Sequence, residues 1–167
     1  LAYLNSQWFE FAKNNDGEPE ISRKWGLESS ILDAIPPELR QFYQDAYDAS
    51  LTSGTPWEHD YECSSPDVFR LFRQYVYPLG RAGLLVVHAL TIERPQPPGA
   101  NPAPDHVDEH GFVYQCSHCR RTKNLRHPSR WDWVPELVRK PLYHTSHGLC
   151  PICFDFYHAQ GKTPGQR

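Results

Sequence analysis

Residues 116–119 read CSHC and residues 150–153 read CPIC. Each is a C-x-x-C pair, Cys116 with Cys119 and Cys150 with Cys153, and about thirty residues lie between them. Two intervening residues let one tight turn aim both sulfurs at a single point. Four thiolates presented this way close a tetrahedron around one structural Zn2+. One such pair alone also serves redox dithiols. Two pairs in a chain with five cysteines in all point to a metal site. The ligand set alone does not choose the metal, so an iron–sulfur centre and two disulfides stand beside zinc as alternatives. Four protein sulfurs saturate a zinc ion and leave no position for a catalytic water. His118, inside the first pair, and His147, three residues before Cys150, are therefore not needed as ligands. They are candidates to donate an N–H to a thiolate or a carbonyl.

Around this stretch the charge changes sign. Residues 1–93 carry 7 basic and 14 acidic side chains; residues 94–167 carry 10 and 6. A zinc tetrathiolate, doubly negative, offsets part of the second excess. Arg120, Arg121, Lys123, Arg126 and Arg130 form a basic run with Trp131 and Trp133 just beyond. Cations beside aromatics are the makings of an anion or single-strand nucleic-acid contact. Set against this is a solvated loop that balances the thiolates. The whole chain, at net charge −3, lacks a strongly basic footprint, so the sequence reads against nucleic acid.

The 167 residues suit one domain or two small ones, with the composition of a folded protein. No run is long and apolar enough to span a membrane; the best, residues 83–92, is interrupted by His88. The chain begins at Leu1 and has no methionine, so an upstream element is expected. An odd fifth cysteine, Cys63, fits a reducing cytoplasm and reads as a small buried filler.

In chain order, Asn5 and Ser6 cap a short helix, residues 13–20 form a loop, and residues 29–35 form a short helix. Residues 38–51 are the clearest helix, with Leu39, Phe42, Tyr43, Ala46 and Ala49 on one face and Asp45 and Asp48 opposite. Residues 57–63 alternate: Trp57, His59, Tyr61 and Cys63 against Glu58, Asp60 and Glu62, a strand with one wet acidic face. Strands over 68–77 and 84–92 complete an antiparallel meander, with Arg70 set against the acidic row. The fold class is α+β, with helices on one sheet face. Residues 94–105 are a Pro-rich linker. Residues 106–160 form the metal module, with a strand at 112–114, helical turns at 132–140, an unusual backbone angle at Gly148 and a terminal helix stopped by Gly161. Residues 161–167 are a tail.

The first 93 residues resemble PAS-type sensor domains of bacterial signalling proteins. The likeness rests on Leu4, Asn5 and Trp8, on Trp57, His59, Asp60, Tyr61, Glu62, Cys63, Ser64, Ser65 and Pro66, and on Arg70, Tyr77, Pro78, Leu79, Val87 and His88. It implies a five-stranded antiparallel sheet around a pocket, here without its first strand. Residues 113–157 resemble a cysteine-rich tail found beside PAS or receiver modules. That likeness rests on Cys116, Cys119, Arg120, Trp131, Tyr143, Ser146, His147, Gly148, Cys150, Pro151 and Cys153. Together the resemblances imply a sensory or regulatory role in the bacterial cytoplasm, and they name no ligand.

Trp57, His59, Tyr61, Phe72, Tyr75 and His88 are the candidate pocket lining; filling the core is the competing role for their rings. No Gly-rich phosphate loop or H-E-x-x-H is present, and no matched acid and base stand out, so a non-catalytic protein is expected. It would bind a small ligand or a signalling partner and could pair as a homodimer. The alternatives are a redox or metal sensor acting through the four cysteines and a nucleic-acid-binding regulator.

Overall fold

The computed structural model describes residues 1–97, 99 and 104–159. The chain divides into two compact units, Leu1–Gln44 and Asp45–Arg167. The central part of the expected linker and the Gly161 helix stop lie outside the described residues, as does the tail.

The first unit is helical. α1 spans Ser6–Asn14, and the Asn5 side chain caps it by accepting from the Trp8 backbone N–H at 3.2 Å. α2, Glu20–Lys24, is one turn that the polar composition of this stretch does not announce. Ser30 caps a 3-10 turn over Ile31–Ala34, its hydroxyl accepting from the Leu32 N–H. α3, Pro37–Ser53, starts on a proline whose missing N–H costs nothing in the first turn and runs across the boundary between units. Its buried stripe is Leu39, Tyr43, Ala46, Tyr47 and Ser50. The stripe is rotated from the expected one, with Tyr47 and Ser50 inside. Gly54, at φ +69°, takes the left-handed position that ends the helix, and its N–H reaches the Ser50 carbonyl at 3.0 Å.

In the second unit, β1 (Trp57–Glu62), β2 (Val68–Pro78) and β3 (Leu84–Pro95) form an antiparallel meander in that order. Register sets Trp57, His59 and Tyr61 opposite Val76, Gln74 and Phe72. Phe72, Gln74 and Val76 are buried, so this is the inner face. The end of α3 packs on it: the Tyr47 hydroxyl donates to Gln74 Oε1 at 3.3 Å, and its ring meets Trp57 edge-on. Glu58 and Asp60 take the outer face, as alternation requires. Arg73, not Arg70, meets that acidic row, holding Asp60 through two bonds of 2.6 and 2.7 Å. Arg70 turns instead to Glu93 on β3. A bulge between Leu71 and Phe72 separates the two registers. Among the described residues the sheet has the three strands of the expected meander, one fewer than a five-stranded PAS sheet without its first strand would have. Cys63, expected inside, stands just past the end of β1 and is exposed.

The same unit holds a second, mixed sheet built of β4 (Val113–Cys116), β5 (Thr122–Lys123), β6 (Trp131–Asp132) and β7 (Thr145–Gly148). Its order is β6-β5-β4-β7, with β4 and β7 parallel. Between β6 and β7 lies α4, Pro135–Arg139, and after β7 comes α5, Pro151–Phe154, extended by a π-turn over Asp155–Ala159. Val113, Val134 and Leu137 form the apolar core here, with Val107 against it. That is a small core, and three side chains alone supply only a few kcal/mol of burial. A polar knot adds to it. Asp132 accepts from His106 Nε2 at 3.0 Å, from Asn124 at 3.1 Å and from Arg130 at 2.5 Å. Burial pushes the Asp132 carboxyl up, but these donors outweigh it and hold the group at about 2.

Candidate metal centre

Two different turns deliver the four cysteines. In the first, β4 ends at Cys116 and the chain folds back at once: the Arg120 N–H reaches the Cys116 carbonyl at 3.0 Å, and the Cys116 N–H reaches the Arg121 carbonyl at 2.9 Å. Such a tight reversal needs a left-handed residue, and Arg120 supplies it at φ +62°. Gly148, expected to carry the unusual angle, has none; it is the last residue of β7. In the second turn, Cys150 is the N-cap of α5, and its sulfur accepts from the Cys153 N–H at 3.5 Å. Pro151 takes the first helical position, where its lost N–H is harmless. The Ser117 N–H bonds the Gly148 carbonyl at 2.7 Å and ties one turn to the other.

The four sulfurs all lie within 4.8 Å of one another, and all four residues are buried. Cys119 Sγ and Cys150 Sγ are 3.8 Å apart. A tetrahedron with metal–sulfur bonds of about 2.3 Å has edges of about 3.8 Å. The cluster is therefore geometrically compatible with one metal ion at its centre. A polynuclear iron–sulfur cluster interposes bridging sulfides and needs its cysteines further apart. All five cysteines are free thiols, so the disulfide alternative is not what the structure contains.

The four sulfurs are close enough to perturb one another's protonation. The neighbouring Cys119 and Cys153 thiols pull Cys116 far below the ordinary thiol range. Hydrogen bonding to that thiolate pushes Cys119 up to about 12 and pushes Cys153 up as well. Four adjacent thiolates are not stable without a cation between them, so loading a metal must release protons. Donors already face the sulfurs. The Arg121 backbone N–H and guanidinium both reach the Cys119 sulfur.

His118 and His147 are placed differently. The His118 Nδ1 meets the Tyr157 hydroxyl at 3.1 Å, and the same hydroxyl lies 3.4 Å from His59 Nε2. Tyr157 is 5% exposed, so these contacts are shielded from water. Trp57 stacks on His59 at 5.5 Å and 7°, and Phe156 leans on it from the π-turn after α5. The three-stranded sheet is thus joined to the cysteine cluster through His59, Tyr157 and His118. Burial, then the nearby His118, pulls His59 down to about 4. Tyr157 lies 98 residues from His59, and nothing local marks it as their bridge. His147 is exposed on β7 and makes no hydrogen bond to a sulfur among the described residues.

The other candidate residues separate into groups. Trp57 and Tyr75 line an open cavity of about 350 Å³, together with Pro56, Glu58 and Tyr77. Tyr61 instead stacks on Phe72 at 5.6 Å, and its hydroxyl meets His88 Nδ1 at 2.7 Å. Of the basic run, Arg121 faces Glu62, Arg126 holds Asp105 and Arg130 holds Asp132. Three of its five cations are already matched by carboxylates. Arg120 and Lys123 have no carboxylate partner among the described residues. No helix among the described residues is long and apolar enough to cross a membrane.

No protein-family model, curated protein or solved structure matches this chain.

Proposed function

We propose that this chain is a non-catalytic regulatory protein organised by one structural Zn2+ at Cys116, Cys119, Cys150 and Cys153. The observation that carries the reading is the burial of four sulfurs within 4.8 Å of one another beside a small apolar core. A core this small needs metal ligation to hold its two turns together. Four sulfur ligands leave zinc coordinatively full, which supports a structural over a catalytic ion.

The three-stranded sheet serves in this reading as the sensory element of a PAS-like domain. It would take a small ligand or a protein partner at the cavity beside Trp57, Tyr75 and Tyr77. What supports coupling is the His59–Tyr157–His118 bridge, which would pass a change at the sheet to the cysteine turn. The test is to bind a fragment library to the full chain and to follow chemical shifts at Trp57 and His118 together. Shifts confined to the sheet count against coupling, and no ligand at the cavity counts against the sensory role.

A further inference from the structure

The mixed sheet of the cysteine module has two unlike sides. Thr122 pairs with Asp132 and with Gln115, and Gln115 pairs with His147. Thr122 and Gln115 are fully buried, so these two pack inward. Neighbouring residues on a strand point oppositely. The other side therefore carries Trp131, Lys123, Tyr114 and Ser146, one from each of β6, β5, β4 and β7. Lys123 is in register with Trp131, and Tyr114 with Ser146. Lys123 Nζ lies 5.9 Å from the centre of the Tyr114 ring. A cavity of about 130 Å³ opens beside this row, its lining completed by Gln115, His147 and Gly148.

Three features give the cavity a chemistry. First, it has an aromatic ring on each side of a cation. Second, the Tyr114 ring is held in place, because its hydroxyl donates to Asp108 Oδ2 at 2.9 Å. Asp108 also accepts the His110 and Phe112 N–H groups, so its charge faces three donors of its own. Third, Lys123 has no carboxylate partner among the described residues, whereas Arg121, Arg126 and Arg130 each have one. A lysine ammonium without a carboxylate partner among the described residues, beside flat apolar surface, is complementary to a flat anion. Size limits the ligand further. An apolar cavity of roughly 150 Å³ accepts benzene, so one planar ring fills this open one of about 130 Å³, and the rest of a larger ligand would project into solvent.

We propose that the Trp131–Lys123–Tyr114 row binds a small molecule with one planar aromatic ring and an anionic group, the ring against the aromatics and the anion at Lys123. The site is separate from the cavity of the three-stranded sheet. It depends neither on which metal the cysteines hold nor on a sensory role.

The test uses the full chain as purified, without chelator. Benzoate and uridine 5′-monophosphate are titrated separately and followed by saturation-transfer NMR, with cyclohexanecarboxylate as a charge-matched control lacking a π face. At least one of the two aromatic anions is expected to bind, and the control is not. Binding of benzoate alone identifies a carboxylate ligand, and of the nucleotide alone a phosphate; either supports the site. Lys123→Gln is expected to weaken binding about tenfold, Lys123→Arg to retain it, and Trp131→Leu to weaken it. Metal content is measured in each variant, and Lys123→Gln, at a half-exposed position, keeps the test valid if Trp131→Leu fails to fold. The proposal is overturned if neither aromatic anion binds, if cyclohexanecarboxylate binds as well as benzoate, or if Lys123→Gln changes nothing. Binding of decathymidylate without either small anion would also overturn it, making the row a nucleic-acid platform.

Discussion

Tyr157→Phe removes one oxygen from the junction between the sheet and the cysteine cluster. The ring stays, with its edge contacts to Phe156 at 5.1 Å and His118 at 5.1 Å, so packing is conserved. What is lost is a hydroxyl that meets His118 Nδ1 at 3.1 Å and His59 Nε2 at 3.4 Å. A net hydrogen bond contributes about 1 kcal/mol, and a buried polar atom stripped of its partner costs about 1–3 kcal/mol. The longer contact contributes less than the shorter, so the expected loss is about 1–2 kcal/mol. The assay is urea unfolding of the metal-loaded chain at pH 7, with metal transfer to a chromophoric chelator measured alongside. If the π-turn that carries Tyr157 must open before metal leaves, release accelerates about 5- to 30-fold, at 1.4 kcal/mol per decade. A double-mutant cycle with His59→Phe is expected to show coupling above about 0.5 kcal/mol. A stability loss below about 0.3 kcal/mol with unchanged metal release would refute the bridge as a mechanical link.

Three other perturbations probe separate parts of the account. Asp132→Asn keeps the shape of the polar knot but removes the charge that His106, Asn124 and Arg130 share; a loss of about 2–3 kcal/mol is expected in thermal melts. His59 is held neutral, its pKa lowered from 6.5 to about 4 by burial and then by His118, with Asp60 opposing. The unfolded chain therefore takes up a proton first as pH falls from 6.5 towards 4, and stability drops across that window by about 1–3 kcal/mol. His59→Phe is expected to flatten the profile relative to the parent chain, and parallel profiles would show that His59 does not set it. Arg120→Gly places the one residue type without a Cβ at φ +62°. It should raise stability by about 0.5–1 kcal/mol in the same unfolding assay, unless the guanidinium has a role that outweighs the relief.

The cysteine cluster was readable because a C-x-x-C turn is a local event, and its spacing states where the sulfurs point. β1 was readable for the same reason: alternation of Trp57, His59 and Tyr61 with Glu58 and Asp60 names its faces without reference to a partner. α3 is legible, but its inward stripe is rotated from the expected one, because Tyr47 looks amphipathic in sequence and partners on the sheet, Gln74 and Trp57, account for its burial. The small sheet was mostly hidden. β5 and β6 are two residues each, too short for any period, and β4 and β7 pair in parallel across some thirty residues. The basic run leaves an anion surface open as an alternative in sequence because its carboxylate partners, Glu62, Asp105 and Asp132, lie apart from it in the chain or are not recognisable as partners. Lys123 kept its charge unmatched because β5 turns it towards Tyr114 and away from them. Tyr157 carries no signal at all: a tyrosine in a short terminal helix acquires its meaning from two histidines far from it in sequence.

The central claim is that the four buried cysteines hold one zinc ion that the module needs in order to fold. Elemental analysis of the full chain, purified without added metal, tests it when combined with thiol titration before and after chelation. The account predicts about one zinc per chain and four thiols that react only after chelation, with loss of the near-ultraviolet signal of the module. Iron in place of zinc would keep the site and change its chemistry to redox. A metal-free chain whose four thiols react at once and whose fold ignores the chelator would contradict the claim.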